Sequence, residues 1–367
     1  MAKAVEDHWK GDLHGLVVTR YGHAIPCSSI EVIEAGHPIP DTAATEAAQR
    51  ILASVRALTA QDLVLALMSG GGSSLLTLPA PGITLADKQA ITRALLTCGA
   101  PIAEINCVRK HLSAIKGGRL AVAANPAPVT ALIISDVPGD DPALVASGPT
   151  APDSTTSADA LAILDKYGIA ILAAVRDWLA NPRSETPKPR DPAFAQVRNR
   201  IIMSSRTVLA HCADVARRAD LDVINLSDVE GEARVVARAH AELALRLRNQ
   251  SKRCIILSGG ETTVTVRGRG CGGRNAEYLL ALCDALAGAD RIWAIACDTD
   301  GIDGTEDNAG AIIAPDTLRR GRSLGLEAAT SLAGNDSYGF FSALDDLVIT
   351  GPTRTNVNDF RAILILS

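Results

Sequence analysis

Several things are missing from this 367-residue chain, and each absence excludes something. No run of about 18 apolar residues occurs, which argues against a membrane-spanning helix. The N-terminal stretch MAKAVEDHWKGD is mixed in charge and has no apolar core, so it does not read as a signal peptide. Basic residues are not in excess: 36 Lys and Arg stand against 41 Asp and Glu, a net charge of −5, and nothing suggests a nucleic-acid footprint. The eight cysteines form no C-x-x-C pair, so structural zinc lacks its ligand spacing. They read as reduced, buried small hydrophobes of a cytoplasmic protein. No G-x-x-x-x-G-K-[ST] loop is found, and Gly71-Gly72-Ser73-Ser74-Leu75 lacks the last glycine of a nucleophile elbow. There is no internal repeat and no low-complexity segment.

What the chain does have is alternation. Short β-branched runs follow longer Ala- and Leu-rich stretches, the pattern of an α/β protein with mostly parallel sheets covered on both faces. Strands are expected at 16–19, 63–68, 131–134, 201–203, 223–226, 254–257, 262–266, 292–297 and 347–350. Asp41 is placed to cap a helix running to about Leu58, with Ala44, Ala48, Ile51, Leu52 and Val55 on one face. Ser204 or Ser205 caps a helix through Arg218, and Ser227 to Glu230 fits a capping box. The segment 181–192, NPRSETPKPRDP, holds four prolines and five charges and is the best linker candidate. Hence two domains are expected, 1–192 and 196–367.

Glycine- or aspartate-rich sequences follow the expected strands: SGGGSS at 69–74, SDVPGDD at 135–141, SGGETT at 258–263, CDTDGIDG at 297–304 and TGPTRTN at 350–356. Ligands of open α/β sheets bind outside the carboxyl ends of strands, so these loops are expected to line a cleft between two three-layer α/β/α domains. β–α turns in general also favour Gly, Ser and Asp. The acidic loop after Ile292–Cys297 is the most pointed. Asp298, Asp300, Asp303, Glu306 and Asp307 crowd together and require something cationic nearby, whether a metal, a Lys or Arg, or a metal–nucleotide complex. It is not a calcium loop, because Ile302 occupies the fifth ligand position.

The other motifs are less decided. Ser69, Gly70, Gly71, Gly72, Ser73 and Ser74 form either an anion-binding turn or an ordinary tight one. Arg109 to Arg119 gathers cations around Gly117 and Gly118; on one helix Arg109, Ser113 and Lys116 would share a face and clamp phosphates, or the stretch is a solvated basic helix ending at a glycine. Asp136, at a strand end, is placed to hold Mg²⁺, to act as a base or to cap a turn. Gly268-x-Gly270-x-x-Gly273 satisfies the dinucleotide fingerprint, yet Arg267, Arg269 and Arg274 crowd it, which suits phosphate recognition better.

Together these stretches resemble a family. GLVVTRYGH, EAGHPIPD, LMSGGGSSLL, NCVRKHLSAIKGGRLA, ISDVPGDDPALVASGPT, SGGETTVTVRGRGCGGRNAEYLLAL, CDTDGIDGTEDNAGA, NDSYGFF and VITGPTRTNVNDF are similar to segments of the class II glycerate kinases, in the family's order over 15–360. Their C-terminal region, about 253–360 here, is the MOFRL domain, and their N-terminal domain is Rossmann-like. The resemblance implies ATP- and Mg²⁺-dependent phosphorylation of D-glycerate at the 2-hydroxyl by a cytoplasmic enzyme. It implies a site with Lys110, Asp136, Arg274 and Asp300 in catalysis. Ser69–Ser74, Lys116, Gly259, Gly260 and Asp303 would bind nucleotide or substrate, and Asp136 and Asp300 would hold the metal. Some members carry the name hydroxypyruvate reductase, so an NAD(P)-dependent reductase is the alternative. Family members also have a strand and a Gly-Lys-Ala loop ahead of the helix with which this sequence begins. Without them a catalytically impaired, ligand-binding relative is a further alternative, and a sheet neighbour is left uncovered. Ala276 stands in place of a usual Gln, and Arg354 in place of a small residue. Oligomeric state is not readable.

Overall fold

The computed structural model describes residues 1–366. The chain divides into two compact units, Met1–Ile202 and Met203–Ser367. The first contains α1 (Ala2–His8), β1 (Gly15–Arg20), β2 (Ile30–Ala35), α2 (Thr42–Arg56), β3 (Val64–Met68), α3 (Gly72–Leu75), α4 (Leu85–Thr97), α5 (Ile102–His111), α6 (Arg119–Ala124), β4 (Val129–Ile134), α7 (Ser157–Lys166), α8 (Ala173–Ala180) and nearly all of β5 (Val197–Met203). β1 and β2 pair in parallel as a sheet of their own, while β3, β4 and β5 form a second sheet with β3 at its edge and parallel to β4. Asp41 caps α2 as its position implies, accepting from the Ala44 amide at 3.0 Å. One face of α2 buries Ala44, Ala47, Ala48, Leu52 and Val55. Thr84 with Asp87 and Thr156 with Asp159 form capping boxes on α4 and α7, each satisfying otherwise orphan amides.

The Pro-rich segment expected as a linker is held within this unit. Arg119 donates to the carbonyls of Ser184 at 2.7 Å and Glu185 at 3.1 Å, and Asp153 N–H to that of Pro187 at 3.0 Å. β5 joins β4 rather than opening the second unit. Proline and charge counts do not reveal such backbone pairing.

The second unit runs α9 (Ser205–Arg218), β6 (Asp222–Asp228), β7 (Gly231–Glu232), α10 (Ala233–Asn249), β8 (Cys254–Gly259), β9 (Thr262–Thr263), α11 (Arg274–Leu286), β10 (Ile292–Asp298), β11 (Gly310–Ile313), α12 (Thr317–Ser323), α13 (Ala328–Gly334), α14 (Ser337–Ala343), β12 (Leu347–Val348) and β13 (Asp359–Ile365). Its main sheet has the order β12-β11-β10-β13-β8-β6. β6 and β8 are parallel; β13 lies antiparallel between β8 and β10, and β11 antiparallel between β10 and β12. The α/β class expected from the alternation is present, with parallel pairing at β1–β2, β3–β4, β6–β8 and β7–β9. Of the antiparallel pairs only β10–β11 joins strands with no helix between them; β11–β12, β10–β13 and β8–β13 pair across stretches that contain helices.

Two local expectations fail. Ser227–Glu230 is not a capping box: short β7 intervenes, and Glu232 caps α10 by accepting from Arg234 and Val235 amides. The strand expected at 262–266 stops at Thr263, since the following backbone turns toward Asn335. The core of this unit centres on α11, whose Tyr278, Leu279, Leu280 and Leu282 are fully buried between α10 and the sheet.

The β10–β11 pairing depends on a missing side chain. A Cβ on Gly310 would lie 1.9 Å from the Ala296 carbonyl oxygen. Gly310→Ala is therefore expected to destabilise the second unit by about 1–3 kcal/mol, read as a lowered urea midpoint at unchanged slope.

Candidate active site

The acidic loop is assembled by strand register. β10 and β13 pair so that Asp298 lies directly opposite Asp359. Like charges facing each other across strands repel, and Arg274, the first residue of α11, separates them. Its Nε donates to Asp359 Oδ1 at 2.8 Å, its second guanidinium nitrogen to Asp298 Oδ2 at 2.7 Å and its third to Glu261 Oε1 at 2.8 Å. One cation among the crowded carboxylates is thus a protein side chain. Burial works against the Arg274 charge, but Asp359, then Asp298 and Glu261, raise its pKa above the ordinary value. Asp359 is buried and accepts as well from Asn275 Nδ2 at 2.7 Å, from the Thr262 amide at 3.4 Å and from Arg361. Arg361, also buried, donates to the Gly259 carbonyl at 2.8 Å.

Asp303 has a different task. It accepts from the amides of Asn275 at 2.9 Å and Ala276 at 2.8 Å, capping the N-terminus of α11. Asp300 turns the loop, receiving the Ile302 amide at 2.8 Å while its own amide donates to Asp298 at 3.0 Å. Gly259 fits against the start of α9 and Gly260 against the loop after β6: a Cβ on Gly259 would meet Ser205 Oγ at 2.0 Å, and one on Gly260 the Val229 amide nitrogen at 2.5 Å.

The G-x-G-x-x-G loop proves to be a packing device. Asn335 Oδ1 accepts from the amides of Arg267 at 2.7 Å and Gly268 at 2.9 Å; Gly270 N–H donates to the Gly334 carbonyl at 2.9 Å, and Cys271 N–H to Asp336 at 3.3 Å. Added Cβ atoms on Gly268, Gly270 and Gly272 would collide with Gly334, Asp336 and Ser337. Within the fingerprint the amides of Gly268, Gly270 and Cys271 are spent on 334–336. Asp298, at the position of a ribose-binding acid, is spent on Arg274.

In the first unit the turn after β3 is equally tight. Gly71 has φ +81°, and a Cβ on Gly70 would meet Asp136 Oδ2 at 2.1 Å. The turn leads into only four helical residues, α3, so the helix N-terminus anticipated there is a single turn. Ser73 Oγ lies 3.1 Å from Ser147 Oγ, and Ser147 donates to Asn106 Oδ1 at 3.2 Å. Lys116 is fully buried and donates to the carbonyls of Ala146 at 2.9 Å and Gly72 at 3.4 Å. It does not share a helix face with Arg109, because α5 ends at His111 and the chain turns through Gly117 and Gly118. Lys110 is buried in an ion pair with Asp153 at 3.3 Å, and Asp153 accepts further from Thr155 and Thr186. Its charge is thereby satisfied within the fold. Asp153, Asn106, Ser147, Glu261, Asp359 and Arg361 escaped the reading of the sequence. Asn106, Ser147, Glu261 and Asp359, the first residue of β13, lie within the family-like segments, but nothing in those segments sets them apart from their neighbours.

The candidate metal residues sit in different units, Asp136 in the first and Asp300 in the second. Among the described residues no group of three or more His, Cys, Asp and Glu side chains is arranged to hold a metal alone. All eight cysteines are free, but only Cys107, Cys254 and Cys283 are buried; Cys98 and Cys271 are exposed.

Residues 254–359 match the MOFRL family, and residues 1–180 match a Domain of unknown function (DUF4147). A D-glycerate 2-kinase of Thermotoga maritima is 41% identical over 358 residues, 96% of this chain and 84% of that protein. The chain belongs to the MOFRL-containing glycerate kinase family. A crystal structure of glycerate kinase from Thermotoga maritima matches with a TM-score of 0.90 at 40% identity, covering 96% of this chain and 85% of that one. A protein of Agrobacterium vitis called putative hydroxypyruvate reductase is 52% identical over 373 residues, all of this chain and 84% of its own.

Burial pushes Asp298 up to about 7 despite Arg274, and Asp303 up to about 6. Both acids ionise near pH 4 in an unfolded chain. Their folded-state pKa values are raised, so the native state holds more protons between those limits, and stability falls as pH rises through about 6–7. Asp298→Asn is expected to flatten this fall, measured as urea midpoints at pH 5 and pH 7.5. An identical pH dependence in the variant would contradict the assignment.

Proposed function

We propose that this chain transfers the γ-phosphoryl group of ATP to the 2-hydroxyl of D-glycerate, giving 2-phosphoglycerate. Family membership supports phosphorylation of glycerate. The observation that favours a kinase over a nicotinamide-dependent reductase is the Gly268–Gly273 loop, where the amides of Gly268, Gly270 and Cys271 already serve residues 334–336. ATP, Mg²⁺, the 2-position and a cytoplasmic setting are parts of this proposal. No helix among the described residues is long and apolar enough to cross a membrane.

Phosphoryl transfer is mostly positioning and electrostatics. Mg²⁺ in such sites takes one or two carboxylates and completes its shell with phosphate oxygens and water. Asp136, held against the side-chain-free Gly70, or Asp300 would hold the ion, which supplies charge neutralisation at the phosphates. The same two acids are the candidates for orienting the acceptor hydroxyl. The turn Ser69–Ser74 would bring backbone close to the nucleotide or substrate, with Lys116 beneath it. Gly259 and Gly260 would do the same in the second unit. Arg274 uses three of its five N–H groups on carboxylates, which leaves two for an incoming oxyanion. Lys110, paired with Asp153, acts in this scheme by fixing the end of α5 rather than by meeting substrate.

Incubation with D-glycerate, ATP and Mg²⁺ is expected to give the ³¹P signal of 2-phosphoglycerate, with no NADH oxidation when hydroxypyruvate is supplied. NADH-dependent consumption of hydroxypyruvate without any phosphoglycerate would establish the reductase instead. Tight ATP or glycerate binding without turnover would mark an impaired relative.

A further inference from the structure

One cluster in the first unit is left without counter-charge. Lys88 is buried and donates only to the carbonyls of Arg109 and Leu112, both at 3.4 Å. Lys116 is buried and likewise finds only carbonyl oxygens. Arg109, on the last turn of α5, is half-buried, and among the described residues its guanidinium has no hydrogen-bond or ion-pair partner. The acids nearby are committed elsewhere: Asp153 holds Lys110, and Glu185 holds Lys188. The three cations are close enough to repel. Burial first, and Arg109 next, lower Lys88 to about 7; burial, then Lys88 and Arg109, push Lys116 well down.

A fold does not collect three such groups for stability, since buried charge without a partner is costly. Arg109 differs from the two lysines in that its nitrogens are absent from the buried, unsatisfied polar atoms and so still reach solvent. A planar guanidinium presents a fork that fits a carboxylate or phosphate bidentately. Lys116 ties the cluster to the glycine turn through the Gly72 carbonyl. The turn is braced by Ala146, since a Cβ on Gly72 would lie 2.7 Å from the Ala146 Cβ.

We infer that Arg109, not its neighbour Lys110, is the anion-binding residue of the first unit, taking an oxyanion beside the glycine turn against the positive field of Lys88 and Lys116. The identity of that oxyanion, as the carboxylate of the acceptor or a phosphate of the nucleotide, rests on the phosphoryl-transfer reading; the existence of the site does not.

Two variants and three probes test it. Arg109→Met should leave the ligand-free Tm unchanged or higher, because no internal contact is lost; a clear drop would mark Arg109 as structural and overturn the site. Arg109→Lys serves as the charge-preserving control and should retain binding in part. Inorganic phosphate should raise the Tm of the natural chain but not of Arg109→Met; equal rises would overturn the site. In calorimetry, loss of a charged, bidentate contact should weaken one ligand roughly tenfold or more. A selective loss for D-glycerate identifies the carboxylate; a selective loss for ADP identifies the polyphosphate. If the natural chain binds neither, yet phosphate stabilisation still needs Arg109, the site stands and the phosphoryl-transfer reading fails.

Discussion

The second unit is organised around one electrostatic problem, two aspartates brought face to face by strand pairing. Asp298 and Asp359 occupy opposed positions on β10 and β13, and that register cannot slip by one residue without exchanging the side chains that β13 presents to the two faces of the sheet, both of which are buried. The repulsion is answered by Arg274, which begins α11 and so is delivered from the helix that forms the core. One residue later Asn275 ties the same helix to Asp359, and Asp303 returns from the acidic loop to cap it. Strand register, helix start and loop conformation thus converge on one guanidinium.

The first unit solves a related problem differently. Its carboxylate Asp153 is matched to Lys110 and two threonines, leaving Lys88, Arg109 and Lys116 with carbonyl oxygens or solvent. Several glycines of the motif loops in both units have no room for a side chain. Gly70 yields to Asp136, Gly268 to Gly334 and Gly301 to Gly351. A sequence fingerprint built from glycines is therefore ambiguous: the same spacing serves a cofactor in one fold and the protein's own backbone in another.

Much of the architecture was legible from the chain. Asp41 as a cap, the strands at 64–68, 129–134 and 292–298, and the helix from Ser205 all follow from local pattern. The cationic answer to the acidic loop was legible too, with a Lys or Arg among the options and Arg274 among the candidate residues. What could not be read was pairing across long separations. Nothing near Lys110 announces Asp153, and nothing in 268–273 announces that Asn335 accepts its amides. The helix face imagined for Arg109, Ser113 and Lys116 failed because α5 ends at His111, before Ser113 and Lys116. The antiparallel return of β13 was also hidden, since strand spacing does not specify direction.

The most direct test of the central role of Arg274 is the stability of Arg274→Lys in urea. Lysine keeps the positive charge but cannot reach three carboxylates in three directions. If one guanidinium holds Asp298, Asp359 and Glu261 together, the substitution should cost at least about 2 kcal/mol, as expected when a buried charge network loses its centre. A change below about 0.5 kcal/mol, within the range of ordinary surface substitutions, would show that the register of β10 and β13 holds without it.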